Sequence, residues 1–238
     1  MNLRRRLLLG IALLAWCLLA LQIAFLLRIA LMAWLDPRST TFQRSEMLRL
    51  ALDKQQIAWA QAWVDYEQIS PQLKRAVIAA EDAGFTEHTG AEWEAMEKAW
   101  NRNQKAQTAR PGSRASRLRG GSTITQQLAK NLLLSGERTV LRKGQELLLA
   151  WMLEALLDKR RILEIYLNHV EWGEGLFGAQ AAARHYFRVD AARLSAEQAA
   201  RLAVMLPAPK RFERQPASGY LLARSAAIVA RMPAVELP

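Results

Sequence analysis

Cysteine is nearly absent. The 238 residues contain one, Cys17, inside an apolar N-terminal run, so no intrachain disulfide can form and either redox compartment is compatible with the chain. Histidine is also scarce. His88, His169 and His185 are too dispersed to propose a site by spacing, and no Cys/His cluster has metal-ligand spacing. Persistent strand alternation is missing and no internal repeat is visible, which points to a mainly α domain. Acidic residues are missing from residues 1–35, which hold four arginines, and the remainder carries 29 basic against 22 acidic side chains. A domain with a surplus of +7 suits an anionic partner such as nucleic acid, acidic lipid or a phosphorylated substrate.

What is present begins with Leu7 to Leu27, 21 residues without a charge and with only Gln22 strongly polar. At about 1.5 Å per residue this run spans a bilayer core of about 30 Å. It is longer than the apolar core of a cleaved signal peptide, and more apolar residues follow Arg28, so it reads as a retained single-pass anchor. Arg4, Arg5 and Arg6 directly before it place the N-terminus in the cytoplasm. The organisation expected is a cytoplasmic tail at 1–6, an anchor at 7–35, a linker and membrane-proximal segment at 36–65, and one globular domain at 66–238.

Within that domain Ser70-Pro71 starts a helix, with Ser as N-cap and Pro at the first helical position; Leu73, Ala76, Val77 and Ala80 form its apolar face, and it ends near Gly84. Residues 57–64 suit a strand or a helix equally. A helical region runs from Thr139 to Leu157, and its almost wholly apolar half from Leu147 reads as a buried core helix. Another helix starts at Ile162, a further one spans about Gly178 to Phe187, and Ser195-Ala-Glu-Gln198 is a capping box opening a helix to Met205. Residues 98–119 carry seven basic side chains and no acid; they read as a solvated loop, or as a flap touching lipid or substrate phosphates.

Three stretches can carry chemistry. Gly120-Gly-Ser-Thr-Ile-Thr-Gln-Gln-Leu-Ala-Lys-Asn131 breaks the chain and then opens a helix capped by Ser122 or Thr123. Ile124, Leu128 and Leu132 face inward, while Thr123, Gln127 and Lys130 lie on another side, a polar ridge suited to an anionic or sugar-bearing ligand. Glu81 and Asp82 stand at a helix end beside Phe85; a carboxylate shielded there can gain basicity and act as a base, though a solvated acidic pair is the commoner meaning. Arg138, Arg142 and Glu146 share one helical face, where the arginines can hold a phosphate or simply pair with Glu146.

Taken in order, Glu81-Asp-x-x-Phe-x-x-His-x-Gly90, the Gly120 to Asn131 stretch, Arg142-Lys143-x-x-Glu146, Lys159-Arg-Arg-Ile-Leu-Glu-Ile-Tyr-Leu-Asn168, the Gly173 to Ala183 segment and Leu206-Pro-x-Pro209 resemble the peptidoglycan glycosyltransferase family over about residues 65–215. Ala208 departs from the Asn often found between those prolines. The resemblance implies a lysozyme-like α fold with a membrane-dipping subdomain. It implies polymerisation of lipid II, by inversion, into β-1,4 glycan strands with release of undecaprenyl diphosphate. It makes Glu81 the general base on the acceptor 4-hydroxyl and Glu146 the second essential carboxylate. Lys130, Arg138 and Arg142 then hold the donor pyrophosphate; Thr123, Gln127 and Asn131 line the cleft; Asp82, Phe85 and His88 shape it and support the base. The implied partners are lipid II, the growing glycan-lipid chain, the bilayer and other cell-wall synthases, at the inner membrane with the domain on the periplasmic side.

No cofactor is required by this chemistry, although Mg or Mn can share the pyrophosphate charge; the sequence offers no dedicated metal cage. Neither Ser-x-x-Lys nor Lys-Thr-Gly occurs, so transpeptidase activity is not expected. Two rivals remain. A lysozyme-type glycan-cleaving enzyme would use a carboxylate in an α fold but has no need of the Lys/Arg cluster. A membrane-tethered nucleic-acid or scaffold protein would use the basic surface, yet no aromatic residue falls between Arg102 and Arg119 to form a stacking platform.

Overall fold

The N-terminal run forms one long helix, α1 (Leu3–Leu31), in the computed structural model, which describes residues 3–55, 57–90, 121–134, 139–216 and 218–238. Its segment Arg4–Leu31 is long and apolar enough to cross a membrane. The helix does not stand apart from the domain. Gln22, Phe25, Ile29 and Met32 repeat at intervals of three and four residues and form one stripe. Ile29 and Met32 are buried and Phe25 packs against the core.

Polar contacts secure the same face. The Gln22 and Gln145 side-chain amides donate to each other's oxygens at 3.2 and 2.9 Å. At the helix end Arg161 donates from Nε to the Met32 carbonyl (2.8 Å) and from its terminal nitrogens to Asp36 (2.7 Å) and Glu164 (2.6 Å).

Residues 36–65 contain helix α2 (Thr41–Lys54), started by a capping box in which Thr40 and Gln43 each bond the other's backbone N–H. The stretch that suited either strand or helix contributes a two-residue strand, β1 (Ala60–Gln61). It pairs in parallel with β3 (Leu176–Phe177), which pairs antiparallel with β2 (Glu171–Gly173), giving the order β1-β3-β2. The close approach needs Gly175: its φ is +69°, and a Cβ there would lie 2.0 Å from the Ala58 carbonyl oxygen.

The remaining described elements are helical: α3 (Pro71–Glu81), α4 (Ile124–Leu133), α5 (Val140–Leu156), α6 (Lys159–His169), α7 (Ala179–Phe187), α8 (Ala196–Met205), α9 (Pro209–Glu213) and α10 (Gly219–Val229). Ser70 caps α3 through Gln72 N–H, and the Ser195 capping box opens α8, both as the sequence indicates. The α3 face of Leu73, Ala76 and Val77 is buried, and α8 packs between α3 and α10. The sequence reading stopped at Pro209 and missed α9 and α10. The basic segment 98–119 lies outside the described residues.

One expectation is corrected. The apolar half of α5 is not a fully buried core helix. Leu149, Ala150 and Leu153 are buried, but Leu148, Trp151 and Leu156 are exposed, as are Val140 and Leu141 at its start. Apolar composition without alternation cannot distinguish a helix covered all round from one covered on one side.

A second buried polar group ties β2 to α2 and α9. Burial pushes the Glu171 carboxyl up to about 7; Lys210 lies 3.3 Å from it but off a hydrogen-bonding direction, and also serves Glu46.

These contacts generate two predictions. Gln22→Leu or Gln145→Leu alone leaves an amide unpaired among apolar groups and should lower stability by about 1 kcal/mol, whereas the double variant should be nearly neutral, as read by thermal unfolding in detergent. The folded state holds the Glu171 proton more tightly than the unfolded chain, so this group lowers stability as pH rises from about 4.5 to about 7. Glu171→Gln should therefore be neutral at pH 4 and stabilise above pH 7 by roughly 2 kcal/mol in a pH series of melting curves.

Candidate functional site

Glu81 is the last residue of α3, half-buried where the helix stops. Burial raises its pKa above the ordinary carboxylate value. The negative charge of Asp82 acts in the same direction, while a hydrogen bond from Gln127 and the positive charge of Lys130 oppose it. Gln127 Nε2 donates to Glu81 Oε2 at 2.9 Å. The other end of the same amide accepts from the Tyr166 hydroxyl at 3.0 Å. Tyr166 is fully buried, and burial together with the charges of Glu81 and Asp82 holds its proton well above the usual phenol range. Tyr166 therefore remains a donor, fixing the Gln127 amide with its NH2 toward the carboxylate.

Asp82, next along the chain, faces the other way. Its Oδ2 accepts from Ile124 N–H (2.9 Å), the first amide of α4, and its Oδ1 lies 2.8 Å from His88 Nε2. His88 Nδ1 accepts from Gly90 N–H at 3.2 Å, so the ring presents an N–H to Asp82. Phe85 is fully buried beneath this turn, its ring edge to His88 and under the Lys159 ammonium at 4.6 Å. Lys159 also donates to the His88 carbonyl (2.6 Å) and to Glu154 (2.8 Å), whose Oε1 accepts from Thr125 (2.6 Å). Asp82, Phe85 and His88 thus build the turn that holds Glu81.

Thr123 takes a structural place. It is the N-cap of α4, accepting from Gln126 N–H and donating to the Gly90 carbonyl at 2.8 Å, and it is buried. The polar ridge read from spacing therefore begins at Gln127, because a cap turns inward at a helix start. Lys130 is exposed on α4 and near enough to Glu81 to act on its charge; Asn131 beside it is half-buried.

The second cluster stands on α5. Glu146 is 3% exposed, so its charge needs partners. Arg142 Nη1 lies 2.7 Å from Oε2, and Lys143 Nζ bonds Oε1. Lys143 also reaches Ser122 Oγ (3.1 Å) and Gln126 Oε1 (3.4 Å) on α4. Arg142 keeps a buried Nε with no hydrogen-bond partner among the described residues. The Glu81 and Glu146 groups are thus linked through consecutive residues of one helix, Gln127 and Gln126. Arg138 lies outside the described residues.

Two participants were missed in the sequence. Lys143 stands in the quoted motif at i, i+3 from Glu146, spacing that puts it on the same face. Tyr166 also stands in a quoted motif, but its contact with Gln127 spans 39 residues and leaves no trace in the spacing.

A shielded carboxylate beside a cation, joined to a buried carboxylate held by Arg and Lys, suits proton removal next to a polyanion. Comparison with known proteins gives the family. Residues 50–233 match the family described as Transglycosylase. The chain is 51% identical over 224 residues to the "Biosynthetic peptidoglycan transglycosylase" of Paraburkholderia xenovorans (strain LB400), covering 94% of this chain and 89% of that protein. It is 54% identical over 207 residues to the protein of the same description from Bordetella pertussis (strain Tohama I / ATCC BAA-589 / NCTC 13251), covering 87% and 84%. The helical domain built around Glu81 and Glu146 is of lysozyme-like type, and the chain belongs to the transglycosylase family.

Proposed function

We infer that this chain is a peptidoglycan glycosyltransferase of cell-wall synthesis, polymerising lipid II into linear β-1,4 glycan with release of undecaprenyl diphosphate. The observation that carries the site assignment is the pairing of one proton-accepting carboxylate, Glu81, with cations arranged around α4 and the start of α5. Glu81 takes the proton from the acceptor 4-hydroxyl as that oxygen attacks the donor sugar carbon, in one inverting displacement. Lys130 and Arg142 meet the charge that grows on the departing diphosphate. Arg138 is assigned with them on its motif position alone.

Arg142 Nε, buried without a partner among the described residues, is a donor suited to a substrate oxygen. Glu146 holds Arg142 and Lys143 in place through one contact to each of its oxygens. Because a diphosphate is a good leaving group once its charge is met, no acid is needed to protonate the leaving oxygen.

A divalent cation, Mg or Mn, would help to neutralise the charge of the substrate diphosphate. Both oxygens of Asp82 and of Glu146 already have partners, and no group of three or more ligating side chains occurs among the described residues. The residues do not fit a protein-held metal, and no step above uses one.

Membrane placement follows the same reading. With α1 crossing the bilayer and Arg4, Arg5 and Arg6 retained in the cytoplasm, the domain faces the periplasm. The exposed Val140, Leu141, Leu148 and Trp151 of α5 then rest in the outer leaflet, where a lipid-linked substrate presents its sugar. The family and the absence of Ser-x-x-Lys and Lys-Thr-Gly support glycan polymerisation without peptide cross-linking.

Two measurements test this. With labelled lipid II in detergent, Glu81→Gln should cut polymerisation by about 10²–10⁴-fold while lipid II binding persists; a rate like wild type would remove Glu81 as the base. Gln127→Leu removes the hydrogen bond that lowers the Glu81 pKa, so the acidic limb of the kcat/KM–pH profile should move to higher pH.

A further inference from the structure

A cavity of about 270 Å³ lies away from the catalytic groups, between the last turn of α1 and the first turn of α2. Arg28, Arg38 and Arg44 line it together with Ser39, Leu31 and Leu35. The three arginines share no carboxylate. Arg28 and Arg38 have no hydrogen bond or ion pair among the described residues. Arg44 is held by neutral oxygens: the Ser39 hydroxyl at 3.0 Å and the Thr41 hydroxyl at 3.0 Å. Arg28 and Arg44 are close enough to repel each other. Asp36 also lines the cavity, but its Oδ1 is taken by Arg161 at 2.7 Å. A water-accessible hollow in which three arginines stand against one acid, itself bonded to Arg161, gathers a surplus of positive charge suited to an anion.

The walls say what kind of anion. Leu31, Trp34 and Leu35 are 54%, 80% and 60% exposed, so apolar surface adjoins the arginines. The whole arrangement sits where the apolar helix ends, the level of phosphates and Trp side chains in a bilayer. A free phosphate would use the arginines and leave the apolar rim uncovered; a lipid phosphate uses both. We propose that this cavity binds the phosphate diester of an anionic membrane phospholipid, with Arg28, Arg38 and Arg44 around the phosphate and Leu31 and Leu35 along its acyl chains. The site rests on the membrane placement given above, and it uses none of the side chains assigned to the reaction. Its occupant bridges α1 and α2 and so fixes the domain at the height of the lipid headgroups.

The test uses the full chain, purified in detergent and stripped of lipid, with retained lipid read by native mass spectrometry. Phosphatidylglycerol should be retained at one molecule per chain at concentrations about tenfold below those needed for phosphatidylcholine. Arg28→Gln/Arg44→Gln should lower that retention about tenfold or more, and Arg38→Gln, on an exposed side chain without partners among the described residues, by a smaller factor at an unchanged melting temperature. Arg5→Gln/Arg6→Gln, at the other end of α1, should change nothing. Equal retention of phosphatidylcholine, or retention unaffected in the Arg28, Arg38 and Arg44 variants, overturns the proposal. Displacement by inorganic phosphate at equal concentration would make this a free-anion site, and displacement by equimolar lipid II a substrate-lipid site; either result also overturns it. Flotation with phosphatidylcholine vesicles separates the two readings. A chain that floats but shows no phosphatidylglycerol preference loses only this site, whereas a chain that does not float loses the membrane placement and this site with it.

Discussion

Asp82 is the constraint on which the site depends. Its carboxylate stands between two segments that the chain separates by 42 residues, accepting the first amide of α4 on one oxygen and contacting His88 on the other. A helix start has unpaired N–H groups and a positive end, so a buried carboxylate there satisfies both its own charge and the helix. The result is that the end of α3 and the start of α4 meet at a fixed angle. Glu81, the preceding residue, is thereby set against Gln127, and its own carboxylate remains available. The division is physical: of two neighbouring acids, one is saturated with donors and holds the frame, while the other is shielded and made more basic.

This arrangement explains what was readable in the sequence. Two helix starts were legible because a side chain closes a local ring: Ser70 before Pro71, and Ser195 with Gln198, act within three residues. The same logic would have found α2, since Thr40 and Gln43 form an equal capping box, but the surrounding residues are too mixed in hydropathy to show one face. Motif order brought Glu81, Gln127, Lys130, Arg142 and Glu146 into view. Their partners were harder to see. Tyr166 acts across 39 residues and Asp82 across 42, and neither contact leaves a periodic trace. Thr123 was read both as a candidate cap and as part of a ridge; it is the cap, and the ridge reading fails because a capping residue is not yet on the helix axis.

The two carboxylates also illustrate why burial alone does not assign chemistry. Glu146 is almost completely enclosed, yet Arg142 and Lys143 compensate its charge within the same turn of helix and the next. Glu81 is less enclosed by surface area, yet burial and the charge of Asp82 raise its proton affinity against the opposing hydrogen bond from Gln127 and charge of Lys130. Burial also makes Glu171 more basic at the junction of β2, α2 and α9, outside the groups linked through α4. Position relative to a cluster of cations separates a base from a structural acid.

The reciprocal amide pair between Gln22 and Gln145 has a mechanical outcome. Gln145 immediately precedes Glu146, so the N-terminal helix grips the segment that carries the second carboxylate, and Arg161 grips that helix again at its far end. Two grips on a rod remove its freedom to swivel. An enzyme hung on a floppy tether would sample many tilts; on the membrane placement proposed above, this one would move along the bilayer as a keeled body, presenting the same side to it throughout.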